Sequence, residues 1–276
     1  MTKYHAKKLL VSVTIYSLLT MIGCGQGTTN HPEPTSSPVT TDAPASTDLA
    51  ASDNTPVQTE TSISGEEWKN NLGTIDLNNL QVSGTGVAVD GNIIRITAGG
   101  DFFVTGTLEN GKIVVSTTER VKLRLSGASI SCENDSAIFV ELADKAFITM
   151  ENGTTNTISS KGTEEAAIYS KDDLEIKGKG TLTIVSQLSH GIKASDDLNI
   201  EDGTLNITAA RDGIHTNETC DISGGTITIT AAKDGIESEE NLIIRDGNIT
   251  ITAGKQSYTA LGETTVDESR ATIIIK

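Results

Sequence analysis

Apolar and polar residues alternate in short runs through the C-terminal part of the chain, and the runs recur at a fixed interval. Segments 191–212, 213–234 and 235–256 each open with Gly-Ile and carry two alternating runs. Alternation is the period of a β-strand and not of an α-helix. A looser, longer copy begins at Ala167 and a more divergent one at Ala137. Self-similarity at a period of about 22 residues is typical of a solenoid.

Superposition of the copies places like aliphatic residues in four columns. The columns are Ile168, Ile192, Ile214 and Ile236; Ile176, Ile200, Ile222 and Ile244; Leu182, Leu205, Ile227 and Ile249; and Ile184, Ile207, Ile229 and Ile251. In-register parallel coils bury such ladders, and a single coil has too little core to be stable alone. The pattern predicts an all-β fold, a single-stranded parallel β-helix (solenoid) with about 22 residues per coil, right-handed as parallel connections usually are.

The N-terminus has the features of an export signal. Lys3, Lys7 and Lys8 precede an apolar run over 9–22, and Cys24 follows closely. The run is short for a membrane span and resembles a bacterial lipoprotein signal, in which Cys24 is lipidated. An ordinary secretion signal with an incidental cysteine is the alternative.

These features divide the chain into three parts. We predict a lipoprotein signal peptide at 1–23, a disordered Thr/Ser/Pro-rich tether at 24–64 and the β-helix domain at 65–276, because the tether composition cannot form a core. The expected location is the bacterial cell surface after export. Contact with the membrane is expected only through the lipid anchor.

Composition and charge narrow the partners. The formal net charge of -16 opposes binding to nucleic acid and favours cations. Aromatic residues are only 3% of the chain, which is few for a protein that grips flat cellulose with stacked rings. Cys132 and Cys220 lie several coils apart, too far for a disulfide, and are expected to be buried thiols.

Acidic residues stack in the turn that follows each Gly-Ile run. One column contains Asp172, Asp196, Glu218 and Glu240, and the next contains Asp173, Asp197, Thr219 and Asn241. Like charges at coil spacing repel unless a cation lies between them, and Ca²⁺ accepts the oxygen ligands that such turns offer. Asp212 and Asp234, before the opening glycines, are further candidate ligands. The alternative is that all these residues are solvated turn residues.

Threonines form an outward polar stripe on one set of strands. Thr228, Thr230, Thr250 and Thr252 are candidates for a glycan-facing surface, although Thr is also a common exposed strand residue.

The strings AIYSKDDL at 167–174 and GIKASDDL at 191–198, with the recurring Asp-Gly-Ile and ISGGTITITA, resemble a family of bacterial carbohydrate-binding β-helix proteins. The resemblance implies a calcium-binding surface protein of clostridia and their relatives that binds cellulose or pectic acid. It supports a polysaccharide and a divalent cation as partners, with Ca²⁺ as cofactor.

We therefore expect calcium-dependent polysaccharide binding without catalysis, with an acidic glycan such as polygalacturonate favoured over cellulose. A pectate-lyase-like enzyme is one alternative, with Lys193, Arg211, Lys233 and His215 as candidate bases. No residue is singled out as catalytic, because a catalytic base is one special residue and these belong to repeats. A non-catalytic adhesin or structural surface protein is the other alternative.

Overall fold

The computed structural model describes residues 66–163 and 165–276, which form a parallel β-helix of about 8 turns. The predicted signal peptide, the tether and Cys24 lie outside the described residues. Within those residues no helix has the length and apolar character needed to cross a membrane. The predicted all-β solenoid is confirmed.

One short 3-10 helix, Glu67–Asn70, precedes the strands. The strands in chain order are β1 (Leu72–Asp76), β2 (Gln81–Ser83), β3 (Val87–Asp90), β4 (Ile93–Ile96), β5 (Gly100–Leu108), β6 (Lys112–Ser116), β7 (Arg120–Cys132), β8 (Ile138–Leu142), β9 (Lys145–Met150), β10 (Thr155–Ser160), β11 (Ala166–Ser170), β12 (Leu174–Gly178), β13 (Thr181–Ser186), β14 (His190–Ala194), β15 (Leu198–Ile200), β16 (Thr204–Ala209), β17 (Ile214–Thr216), β18 (Cys220–Ile222), β19 (Thr226–Ala231), β20 (Ile236–Ser238), β21 (Leu242–Ile244), β22 (Gly247–Ala253), β23 (Tyr258–Ala260), β24 (Thr264–Val266) and β25 (Ala271–Ile275).

Three faces run along the solenoid. The first face contains β9, β12, β15, β18, β21 and β24, and the second contains β10, β13, β16, β19, β22 and β25. The third face is a separate sheet that includes β6, β8, β11, β14, β17, β20 and β23. The long strand β7 pairs with β9 through its first half and with β10 through its second half, so it serves both the first and second faces.

The predicted aliphatic columns form the core. Ile192 pairs with Ile214 and Ile214 with Ile236 in register on the third face, and all three are fully buried. The other three columns are likewise in register and buried. Cys220 lies between Leu198 and Leu242, and burial raises the pKa of its thiol to about 12. Both described cysteines are buried and unpaired, as expected.

Glycines make the turn between the first and second faces possible. Gly203, Gly225 and Gly247 stack in successive coils with φ of 102°, 93° and 111°, a region that L side chains rarely adopt. A Cβ on Gly225 would lie 3.0 Å from the carbonyl oxygen of Gly203. Close stacking of the coils therefore requires glycine at this turn.

The first described coils depart from the parallel pattern. β1 pairs antiparallel with β2, and β3 pairs antiparallel with β4, before parallel pairing continues from β4 to β6. The sequence repeat predicts only less regular turns in these first coils, and it does not predict antiparallel pairing. Short connections, four residues from β1 to β2 and two from β3 to β4, favour hairpins because a parallel crossover needs a longer segment.

We expect Ile214→Ala to lower the free energy of unfolding by about 2–5 kcal/mol, because it opens a cavity within a continuous ladder. The exposed control Thr228→Ala should change it by less than about 0.5 kcal/mol. Urea denaturation followed by circular dichroism measures both. Equal effects for the two variants would contradict the assignment of the ladder as the core.

Candidate functional site

The acidic turn lies where the third face leads into the first. Strand registers align Asp172 with Asp196 and Asp173 with Asp197, since Ser170 pairs with Ala194 and Leu174 with Leu198. The same logic continues the two columns into Glu218 and Glu240 and into Thr219 and Asn241. The structure thus stacks the predicted acidic residues in successive coils.

The second acidic column supports the coils by hydrogen bonding. Asp197 Oδ1 accepts the backbone N–H of Thr219 at 2.9 Å, and Asn241 Oδ1 accepts that of Glu263 at 2.9 Å. Asp173 Oδ1 accepts a longer bond, 3.4 Å, from the N–H of Asp197. Each of these side chains accepts a hydrogen bond from a backbone N–H group in the next coil. This is the structural role in a turn that the sequence offered as the alternative to metal binding.

The first acidic column is electrostatically strained. Burial, followed by the charges of Asp172, Asp173 and Asp197, raises the pKa of Asp196. The charge of Asp196, followed by burial and other carboxylates, raises the pKa of Glu218. Asp172 Oδ2 accepts the N–H of Ala143 at 2.8 Å, whereas the carboxylate of Asp196 accepts no hydrogen bond within the described residues. A cation would relieve this repulsion.

The aspartates before the opening glycines form a second ladder. Asp212 Oδ1 accepts the N–H of Asp234 at 2.9 Å, and Asp234 Oδ1 accepts the N–H of Gln256 at 2.8 Å. Two sets of possible metal ligands have donor atoms within 4.8 Å of one another among the described residues: His190, Asp212 and His215, and Asp212, Asp234 and Glu237. The structure adds the two histidines and Glu237 to the candidate metal ligands. The carboxylates of Asp172, Asp173, Asp196 and Asp197 do not form such a set within the described residues.

An aromatic cleft opens on the first face, and sequence reasoning missed it. Its volume is about 330 Å³. Trp68 and Phe147 stack beside it with ring centroids 5.6 Å apart and an angle of 8° between the ring planes. The charged side chains that line it are Glu66, Lys69, Arg120, Lys122, Glu175, Lys177 and Glu201. It therefore combines ring faces with both hydrogen-bond donors and acceptors.

Glu175 is the most buried charge in the aromatic cleft. Its carboxylate binds Lys145 at 2.8 Å and also contacts Lys177, and it is 8% exposed. Burial opposes its charge, but the two ammonium groups prevail and lower the pKa of Glu175. Both lysines also lie over Phe147, with Nζ 5.5 and 5.4 Å from the ring centroid. The ammonium groups are thus fixed in position at the ring.

The aromatic cleft is formed by residues that are distant in sequence, so no sequence motif predicts it. Lys122, Phe147 and Glu175 are outward neighbours on β7, β9 and β12 in three coils, and Trp68 reaches them from the 3-10 helix. The early coils are also the least regular copies of the repeat. The one available signal was Trp68, a lone tryptophan directly before a solenoid with few aromatic residues.

The acidic turn leads directly into a strand that lines the aromatic cleft. Asp173 is the last residue before β12, and Glu175 of β12 lines the cleft. Asp197 is likewise the last residue before β15. An extended ligand on the first face could therefore reach both features.

The threonine stripe lies on the second face. Thr228 pairs with Thr250 and Thr230 with Thr252 on β19 and β22, and all but the half-buried Thr250 are exposed. The stripe is thus separate from the aromatic cleft, and it presents hydroxyls without aromatic rings.

Comparison with known proteins identifies the family. The family model of the carbohydrate-binding domain-containing protein matches residues 90–276. The chain belongs to this family. A relative from Acetivibrio thermocellus, described as a carbohydrate-binding domain-containing protein, is 30% identical over an alignment of 215 residues, and the match covers 74% of this chain. The chain spans about 65% of the length of that relative.

A solved structure of a C. thermocellum protein is also similar. It is described as a polysaccharide lyase-like protein in a gadolinium derivative, and it is 26% identical with a TM-score of 0.66. The likeness covers 73% of this chain and 98% of that one. These matches confirm one part of the resemblance seen in the repeat strings, namely that the chain is related to carbohydrate-binding proteins.

We expect Glu175→Gln to destabilise the protein by about 1–3 kcal/mol at pH 7, because it removes the buried carboxylate that Lys145 and Lys177 share beside Phe147. Since the folded state lowers the pKa of Glu175, this stabilisation is complete above the unfolded value of about 4.5 and is lost as pH falls through the folded value. Urea denaturation of the variant and the native protein at several pH values measures the difference. A difference that grows on acidification would contradict the ion-pair assignment.

Proposed function

We propose that the protein is a calcium-dependent polysaccharide-binding lipoprotein of the bacterial cell surface, and that it prefers an acidic glycan such as polygalacturonate to cellulose. The observation that carries the proposal is the position of the aromatic cleft beside the acidic turn on the first face. Membership of the carbohydrate-binding family supports a sugar ligand. Surface attachment rests on Cys24 and the tether.

The aromatic cleft suits a sugar ring better than it suits crystalline cellulose. A pyranose presents C–H groups to a ring face and hydroxyls to charged groups, and Phe147, Lys122 and Glu201 offer these together. A flat cellulose surface requires a row of exposed rings. Every Trp, Phe and Tyr of residues 66–276 is buried or half-buried, so a soluble, separated chain is the better ligand.

Calcium provides the link between an acidic protein and an acidic glycan. Burial and then the neighbouring carboxylates raise the pKa of Asp196; a cation relieves the repulsion between these carboxylates, and Ca²⁺ has coordination places left for uronate oxygens. The acidic column of Asp172, Asp196, Glu218 and Glu240 follows the direction in which the coils stack.

Lyase activity is the rival function, favoured by the description of the similar structure as polysaccharide lyase-like. A lyase needs an unprotonated base beside the sugar. Burial opposes the charge of Lys177, but Glu175 dominates and raises its pKa, so this side chain is an ammonium group at neutral pH. Lys193, one of the candidate bases predicted from the sequence, is paired with Glu165 at 2.6 Å. We therefore favour binding without catalysis.

Retention on immobilised polygalacturonate, with calcium or with chelator, tests the proposed site. We expect Phe147→Ala to weaken binding about tenfold, since one lost ring contact is worth about 1–3 kcal/mol. Thr228→Ala, on the second face, should bind like the native protein.

Four other outcomes contradict parts of the proposal. Binding lost in Thr228→Ala and kept in Phe147→Ala would move the site to the threonine stripe. Binding that persists in chelator would reject the calcium link, and no binding in either condition would favour an adhesin. Unsaturated sugars released from polygalacturonate, detected by absorbance, would identify a lyase.

The calcium site has a test of its own in Asp196→Asn. We expect the variant to be more stable than the native protein without calcium, by up to about 1 kcal/mol, because one repelling carboxylate is removed. Its melting temperature should then respond less to calcium than that of the native protein. The exposed control Glu109→Gln should leave the calcium response unchanged, and an undiminished response in Asp196→Asn would remove this column as a calcium site.

Acidification should act in the same direction as Asp196→Asn. Because the folded state raises the pKa of Asp196, its contribution favours folding below the unfolded value and is lost as pH rises through the folded value. The calcium response of the native protein should therefore shrink on acidification, as measured by thermal melts with and without calcium.

A further inference from the structure

Four side chains from three consecutive coils meet beside the third face, away from the aromatic cleft. This histidine cluster consists of His190, Asp212, His215 and Glu237. His190 begins β14, Asp212 precedes β17, and His215 pairs with Glu237 between β17 and β20. The centroids of the two imidazole rings are 4.9 Å apart. Asp212 and Glu237 provide two carboxylates against two imidazoles.

The donor atoms of the histidine cluster converge. Nδ1 of His190 lies 2.9 Å from Oδ2 of Asp212, and the same oxygen lies 3.8 Å from Nδ1 of His215. That nitrogen lies 3.2 Å from Oε2 of Glu237. Ligands at about 2.05 Å from one tetrahedral ion are separated by about 3.3 Å. These three separations bracket this value. The donor atoms of His190, Asp212 and His215 all lie within 4.8 Å of one another, and Glu237 adjoins this set through His215.

One ring nitrogen of His190 is buried without a hydrogen-bond partner among the described residues. His190 is 2% exposed, yet its Nδ1 makes no hydrogen bond within the described residues. The nearby carboxylate of Asp212 is within range but is not aligned to accept one. Buried polar atoms without partners are rare and costly, and a missing ligand is one explanation.

Neighbouring groups hold the ligands in place. Asp212 Oδ1 accepts the N–H of Asp234 at 2.9 Å, which directs Oδ2 toward the histidines. Such outer contacts orient metal ligands in established sites.

We propose that the histidine cluster binds one transition-metal dication of the zinc class. Two imidazole nitrogens and two carboxylate oxygens are a typical ligand set for such ions, and the two negative charges balance the metal. Calcium fits this place poorly because it takes six to eight oxygen ligands at 2.3–2.6 Å. The site is separate from the calcium column and does not depend on glycan binding.

Calorimetric titration of the metal-stripped protein with zinc chloride tests this site. We expect one equivalent to bind, and excess calcium should not displace it. Cobalt(II) in place of zinc should give the visible absorption of a four-coordinate site. The variants His215→Gln and Glu237→Gln should each weaken zinc binding by at least about tenfold, and the exposed control Glu109→Gln, outside the histidine cluster, should not.

Circular dichroism checks that each variant is folded, and two ligand variants ensure that one failure to fold leaves a result. Retention of His215→Gln on polygalacturonate should equal that of the native protein, because the cluster lies outside the first face. Zinc binding far below one equivalent, displacement by calcium at equal concentration, or unchanged zinc affinity in both ligand variants would overturn the proposal.

Discussion

In-register parallel pairing of the coils determines what each side chain contacts. Every residue on a strand lies beside its counterpart in the coils before and after it, as Ile192, Ile214 and Ile236 do in the core. In-register stacking stabilises the inward-facing side chains, because like aliphatic side chains pack against each other with little exposed surface. The glycine turn at Gly203, Gly225 and Gly247 allows the coils to approach closely enough for the pairing.

The same in-register stacking places like charges beside one another on the surface, and the candidate binding groups lie at these positions. Stacked carboxylates repel, so the chain either turns them into acceptors for the next coil, as at Asp197, or leaves them as a strained column, as at Asp196. Where a copy departs from the repeat, new combinations arise. His190 in place of an aspartate beside Asp212 produces a mixed nitrogen and oxygen cluster, and Phe147 next to Glu175 produces a cleft with a ring and fixed charges.

The sequence predicted the repetitive part of the structure well, because a repeat converts a linear pattern directly into contacts. The four aliphatic columns and the stacked acidic turns follow from spacing alone. The antiparallel pairs of β1 with β2 and of β3 with β4 could not be obtained from spacing, because those segments are not copies. The aromatic cleft was missed for a related reason: Trp68 and Phe147 meet only after the chain before β1 folds across the first face. The histidines were visible as departures from the repeat, but their convergence depends on side-chain directions that spacing does not provide.

The central claim is that the first face binds an acidic glycan through both the aromatic cleft and calcium held by the acidic turn. A crystal structure of the protein with calcium and an oligogalacturonate tests it most directly. The account predicts a sugar ring beside Phe147 and calcium between Asp196 and a uronate carboxylate of the same chain. A glycan bound on the threonine stripe of the second face, or bound on the first face without any calcium contact, would contradict it.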